Sequence, residues 1–294
     1  MDRGETRVGF GVVMTRAWPE PPRGFVVRPE GGSALYVSAA AEEAVRKRGL
    51  TRWGAWHRAL ATGSQSSGRG MTAVIDGPPP ARWRLKLMRR GGWLASLWRD
   101  RYPGARRLVE TLRASVEALA RGVSTASPVA LIVEPGPAGL VRGAMAFEEI
   151  EGAEDLARRV VGKSVVTADL ESAIGTVRAM HDRGVSHPDL NLGNILLRPS
   201  VVGAPQAFVI DLDRATVGTA PVRFELRQAA IRRLERSCAK LTGSTGPLGP
   251  GSEDVWYRLY AGEDADLGKR LASGRPAGRV VLAMHRLFWR RQPR

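Results

Sequence analysis

Between residues 83 and 88 large apolar and basic side chains alternate (Trp83, Arg84, Leu85, Lys86, Leu87), the period of a strand with one buried face. Apolar runs over 71–75, 128–133 and 143–147 predict three further strands. Residues 108–121 place apolar side chains at 108, 109, 112, 116 and 119, a helical spacing. A longer amphipathic helix is predicted over 167–183, with Leu170, Ile174, Val177 and Met180 on one stripe and Gly184 as its stop. Short strands follow at 195–197 and 208–210. Residues 223–294 are mainly helical in pattern, broken by a Gly-, Pro- and Ser-rich stretch over 243–252. The first 60 residues carry weaker signals: turn-rich stretches at 19–22 and 31–33, a short strand at 25–27 between them, and a helix over 39–48.

Strands thus dominate from 62 to 147 and helices after 150. The expected fold class is α+β in two lobes, a strand-rich N-lobe over 1–147 that includes an N-terminal extension, and a helical C-lobe over 148–294. A cleft lies between them and the joint falls near 146–152.

Composition adds three constraints. The chain has 294 residues, 43% hydrophobic and 25% charged, which is ordinary for a folded globular protein. Cys238 is the single cysteine, so no intramolecular disulfide can form and a reducing compartment is expected. Lys and Arg exceed Asp and Glu by 45 to 29, a net +16, which favours anionic partners. The apolar stretch over 8–14 is too short for a signal peptide or a membrane span, so a cytoplasmic protein is expected.

The chemistry concentrates in His187-x-Asp189-Leu190-x-x-x-Asn194, directly ahead of a strand. This spacing fits the catalytic loop of protein-kinase-like phosphotransferases. An Asp at one end of a tight loop reaches the acceptor hydroxyl, and an Asn at the other end reaches a magnesium ion on the nucleotide phosphates. Asp211, 17 residues after Asn194 and at the end of an apolar strand, is placed as the second magnesium ligand, with residues 199–205 as a loop extension. The site therefore calls for ATP and Mg²⁺, with Asp189 catalytic and Asn194 and Asp211 on the metal.

The strand-rich half must supply a cation for the phosphates and a helical carboxylate to hold it. Lys86 is the candidate cation. Glu110 is the preferred partner, and Glu117, seven residues on, is the other. The stretch containing Gly63, Gly68 and Gly70 departs from a Walker loop, because Arg69 and Gly70 stand where Lys and a hydroxyl residue belong. It reads instead as a glycine-rich turn between two strands that covers the phosphates.

These residues resemble the lipopolysaccharide kinase family of protein-kinase-like phosphotransferases. The likeness runs over about 50–262. It is carried by Lys86-x-x-Arg89-Arg90-Gly91-Gly92, Arg99-Asp100-Arg101-Tyr102, the 187–197 stretch, Ile210-Asp211-Leu212-Asp213-Arg214, Arg233-x-x-Arg236-Ser237-x-x-Lys240-Leu241 and Trp256-Tyr257-x-Leu259-Tyr260. The resemblance implies phosphorylation by ATP of a 3-deoxy-D-manno-octulosonic acid (Kdo) sugar on a lipid A precursor, at the cytoplasmic face of the inner membrane. The chain departs from the kinase pattern at Pro188, and at Asp213 where Asp-Phe-Gly would have Gly.

After Asp213 little room remains for a segment on which a protein acceptor could dock, so a small-molecule or glycolipid acceptor is expected. Residues 81–121 hold 11 Lys and Arg against 3 acids, a net +8, interleaved with Trp83, Trp93 and Trp98. That pattern suits peripheral contact with an acidic membrane surface and an anionic glycolipid or sugar acceptor. No nucleic-acid partner is expected, and no protein partner is inferable. Two alternatives stand beside this reading: a kinase of another small molecule on the same fold, and a catalytically silent module that binds anionic lipid or nucleic acid.

Overall fold

The computed structural model describes residues 18–63, 71–79, 81–89, 100–249 and 251–273. Its N-terminal half is built on one six-stranded antiparallel sheet. In chain order the strands are β1 (Phe25–Glu30), β2 (Ser33–Ser38), β3 (Thr72–Asp76), β4 (Arg82–Leu87), β5 (Pro128–Pro135) and β6 (Val141–Glu148), and in space they run β1-β2-β5-β6-β4-β3. β1 and β2 form a hairpin closed by Gly31 and Gly32, whose φ values of +58° and +86° suit a two-residue turn. The hairpin extends the sheet beyond β5, with Ala34 opposite Val133.

Both faces of this sheet are covered, and the period of two assigns each strand residue to a face. Leu35, Val37, Ala130, Ile132, Trp83 and Leu85 pack beneath α1 (Glu42–Lys47) and α2 (Trp53–Thr62), against Val45, Trp56 and Leu60. Ala34, Tyr36, Leu131, Val133 and Met145 face α3 (Arg106–Ala120) and meet Leu108, Val109 and Leu112. Trp56 is fully buried and its indole N–H donates to Leu50 O at 2.8 Å, so the ring is placed without leaving its polar atom unsatisfied.

The C-terminal half is mainly helical, with α4 (Leu156–Val161), α5 (Thr167–Asp182), α6 (Phe224–Thr242), α7 (Val255–Ala261) and α8 (Ala265–Ala272). Leu170, Ile174, Val177 and Met180 of α5 are fully buried in its core, each contributing about 1.5–3 kcal/mol of apolar burial. Two small sheets carry the loops that matter. β7 (Glu154–Asp155), β9 (Ile195–Arg198) and β10 (Gln206–Val209) form one, and β8 (Val185–Ser186) pairs with β11 (Thr216–Val217) in the other. Residues 199–205, exposed up to Ala204, bridge the β9–β10 hairpin. Among the described residues no helix is long and apolar enough to cross a membrane.

Candidate active site

The β8–β9 connection is fixed by His187, which is buried. Its Nε2 lies 3.1 Å from Ile210 O. A carbonyl only accepts, so Nε2 carries the proton, and Nδ1 is left to accept from Asp189 N at 3.3 Å. Burial depresses the pKa of this imidazole and keeps it neutral. One ring thus joins the residue before Asp211 to the backbone of Asp189. Asn191 and Asn194 each donate a side-chain N–H to Asp189 O at 3.0 Å, and Asn191 Oδ1 accepts from Gly193 N at 2.9 Å. The loop is closed by its own amides, while the Asp189 side chain is exposed.

Asp211 follows β10 with φ of +62°, the left-handed region, which is uncommon for a residue with a Cβ and a mark of stored backbone strain. There its carboxylate forms an ion pair with Lys86 Nζ from the N-terminal half. Lys86, Asn194, Asp211 and Asp213 line one cavity of about 400 Å³ between the two halves. Met88, Met145, Phe147, Leu196 and Ile210 give it apolar walls, and the chain over 148–150 borders it as the link between the halves. Arg84 also faces this space, with Nε donating to Glu149 Oε2 at 2.6 Å.

Several expectations are corrected. Glu110 does not meet Lys86: it is exposed on α3 and accepts from Arg106 Nε at 2.7 Å, and neither Glu110 nor Glu117 lines the cavity. The helix is rotated so that Thr111 and Ser115, four residues apart, face the site instead. α3 is tied to the site through Asp213, which sequence reasoning noted only as a departure. Asp213 Oδ1 accepts from Thr111 Oγ1 at 3.1 Å, and Oδ2 from Arg107 Nη2 at 3.3 Å.

Gly63 does not line the cavity. It ends α2, and a Cβ there would stand 2.3 Å from Ala73 Cβ, so the glycine is required by the close approach of helix and strand. The stretch it begins runs from a helix into β3, not from strand to strand. Gly68 and Gly70 lie outside the described residues. Trp83 is 2% exposed beneath α2 and therefore cannot sit in a membrane interface. Trp93 and Trp98 lie outside the described residues.

Comparison with known proteins gives the family and the fold. The profile of the lipopolysaccharide kinase (Kdo/WaaP) family matches residues 55–249. Proteins named 3-deoxy-D-manno-octulosonic acid kinase from two strains of Xylella fastidiosa are 36% and 33% identical over 181 and 213 residues. Those alignments cover 60% and 71% of this chain, and 67% and 78% of the relatives. A protein of the same name from Xanthomonas oryzae pv. oryzae is 30% identical over 208 residues, covering 69% of this chain and 78% of its own. Among solved structures, WaaP in complex with acyl carrier protein aligns with a TM-score of 0.50 at 20% identity. It covers 84% of this chain and 98% of that one, a likeness of fold.

Proposed function

The chain belongs to the lipopolysaccharide kinase (Kdo/WaaP) family, and on that premise we propose that it transfers the γ-phosphoryl group of ATP to a hydroxyl of a Kdo sugar in lipopolysaccharide core biosynthesis. The observation that carries the reading is the convergence of Lys86, Asn194 and Asp211 on one cavity, beside a loop whose exposed carboxylate is Asp189.

The nucleotide fits between the apolar walls, with its base toward residues 148–150 and its phosphates toward Lys86. Lys86 Nζ donates to phosphate oxygens, exchanging its Asp211 partner for the nucleotide. Asp189 accepts a hydrogen bond from the acceptor hydroxyl, aligns its oxygen with the γ-phosphorus and takes the proton as the new O–P bond forms and the bond to ADP breaks. His187 keeps this carboxylate in register with Asp211 through the two backbone contacts described above.

The donor set also suits magnesium. Asn194 commits its amide N–H to Asp189 O, leaving the amide oxygen free to ligate, and Asp211 supplies a carboxylate. Two hard oxygen ligands, completed by phosphate and water, are the usual protein contribution to a Mg²⁺ site. Asn194 and Asp211, which line the same cavity, are the residues that would hold such an ion beside the nucleotide. When bound, such an ion would neutralise charge on the phosphates.

A lipid-borne acceptor places the reaction at the cytoplasmic face of the inner membrane. Peripheral attachment there rests on the net charge of +16, since Trp83 is withdrawn from that role. The test is mass spectrometry of a Kdo-bearing lipid A precursor incubated with ATP, Mg²⁺ and the protein. One added phosphoryl group is expected, with a loss of about 100- to 10,000-fold in Asp189→Asn. A wild-type protein that hydrolyses or transfers nothing under these conditions contradicts the reading.

A further inference from the structure

Helix α6 meets the catalytic loop on a side that does not line the cavity. Ser237 Oγ accepts from Leu192 N at 3.3 Å, whereas the next two residues, Gly193 and Asn194, face the nucleotide cavity. Asp189 does not line that cavity, so an acceptor reaches it from another side, and α6 packs on the same loop. Arg233 lies one helical turn before Ser237, and Arg236 lies three residues after Arg233, so both stand on the stretch of α6 that meets the loop.

The two arginines are not used to hold the fold together. Their neighbours are: Arg227 pairs with Asp182 at 2.5 Å, and Arg232 Nη2 donates to Ser273 O at 2.6 Å. Glu235, the adjacent acid, is turned inward and accepts from Tyr257 OH at 2.6 Å. Among the described residues neither Arg233 nor Arg236 has a carboxylate within ion-pair distance. Burial, and then the charge of Arg233, hold the Arg236 guanidinium below its usual pKa, and the nearby Glu235 carboxylate offsets only part of that effect.

We propose that Arg233 and Arg236 bind the carboxylate of the acceptor sugar acid and so present its hydroxyl to Asp189. The inference rests on the Kdo reading above and extends it by assigning an acceptor subsite. Paired guanidinium forks suit a carboxylate or a phosphate. The carboxylate is preferred because it belongs to the same sugar as the reacting hydroxyl, at a fixed short distance from it. A phosphate on the lipid is separated from that hydroxyl by a flexible linkage.

The experiment compares wild type with Arg233→Gln, Arg236→Gln and Arg236→Lys on two acceptors, a short Kdo glycoside without phosphate and the complete Kdo-bearing lipid precursor. Each Gln substitution should raise KM for both acceptors by about tenfold, the equivalent of one charge-assisted hydrogen bond, with KM for ATP unchanged. Arg236→Lys should recover part of the loss, which a purely structural defect would not. Acceptor KM values equal to wild type, or KM for ATP rising in parallel, would overturn the assignment. A defect confined to the phosphorylated lipid would overturn the carboxylate and transfer the site to phosphate. Failure of the Kdo reading itself looks different: the wild type then turns over neither acceptor.

Discussion

Asp213→Ala separates two roles for a carboxylate that both lines the nucleotide cavity and grips α3. The Arg107 contact is part-exposed, with side chains at 38% and 22%, and is worth about 0.5–1 kcal/mol. The Thr111 hydroxyl is buried and its one proton is shared between Asp213 Oδ1 and Arg107 O, both at 3.1 Å, so the contact with the charged oxygen is worth about 1 kcal/mol. If α3 must be in place for turnover, losing both costs about 2 kcal/mol. That sets a ceiling of about 30-fold on kcat/KM, since 1.4 kcal/mol is tenfold. The double variant Arg107→Gln/Thr111→Val removes the same two contacts from the helix side and leaves the carboxylate in the cavity. The two variants should lose kcat/KM equally, and adding Asp213→Ala to the double variant should cost little more, because the contacts act as one unit. Steady-state kinetics at saturating acceptor, with nucleotide affinity measured separately, gives the comparison. A loss of a thousandfold or more in Asp213→Ala beside a tenfold loss in the double variant would refute the reasoning and place Asp213 in the chemistry.

Two further outcomes follow from the site. Asp211→Gly and Asp211→Ala should both abolish turnover, yet the glycine variant should be more stable by about 0.5–1 kcal/mol. The left-handed backbone at φ +62° costs a residue with a Cβ about 1–2 kcal/mol, and part of that gain is returned as unfolded-chain entropy. Urea unfolding decides it, and equal stability would show that the strain is absent. His181 and His187 are both buried with pKa values depressed by burial, His181 to about 3. The unfolded chain takes up protons below about pH 6.5 that the folded chain refuses, so stability should be flat above pH 7. It should then decline as pH falls below 6.5, the His181 share continuing toward pH 3, by up to about 1.4 kcal/mol per unit for each histidine while it stays neutral in the folded chain. His181→Phe should remove one share of that slope, read from denaturant midpoints across the pH range.

The C-terminal part of the site was legible because its residues are close in sequence. His187, Asp189 and Asn194 occupy one loop, and Asp211 ends the next hairpin, so spacing alone carries most of the geometry. The N-terminal part depends on helix phase and on which layer covers which face, and spacing says little about either. Glu110 and Thr111 are neighbours in the chain, yet only Thr111 faces the cleft. The buried stripe of Leu108, Val109 and Leu112, set against the sheet, would have shown that rotation had it been used to orient the helix. Trp83 alternates with Arg82 and Arg84 as a strand residue should, but nothing local to it reveals that α2 lies above. The β1–β2 hairpin does leave a signal, a Gly-Gly pair between two strand-like runs, but the pair marks a turn without showing which strands it joins.

The N-terminal sheet joins strands far apart in the chain. β2 pairs with β5, where Ala34 meets Val133, 99 residues later, and β4 is held between β3 and β6. During synthesis the β1–β2 hairpin can form early, but its inner edge stays open until residue 135 or so has emerged. At about 5–20 residues per second that interval lasts on the order of 5–20 s. Through it the nascent chain displays the unpaired edge of β2, with Ala34 to Val37 all apolar, to whatever other chains are near. The helices α1 and α2, made during that wait, can settle on one face of the hairpin and shorten the exposure. The lobe that will hold the nucleotide is therefore completed only as β6 is added, and β6 is also the strand that leads directly into the link between the two halves.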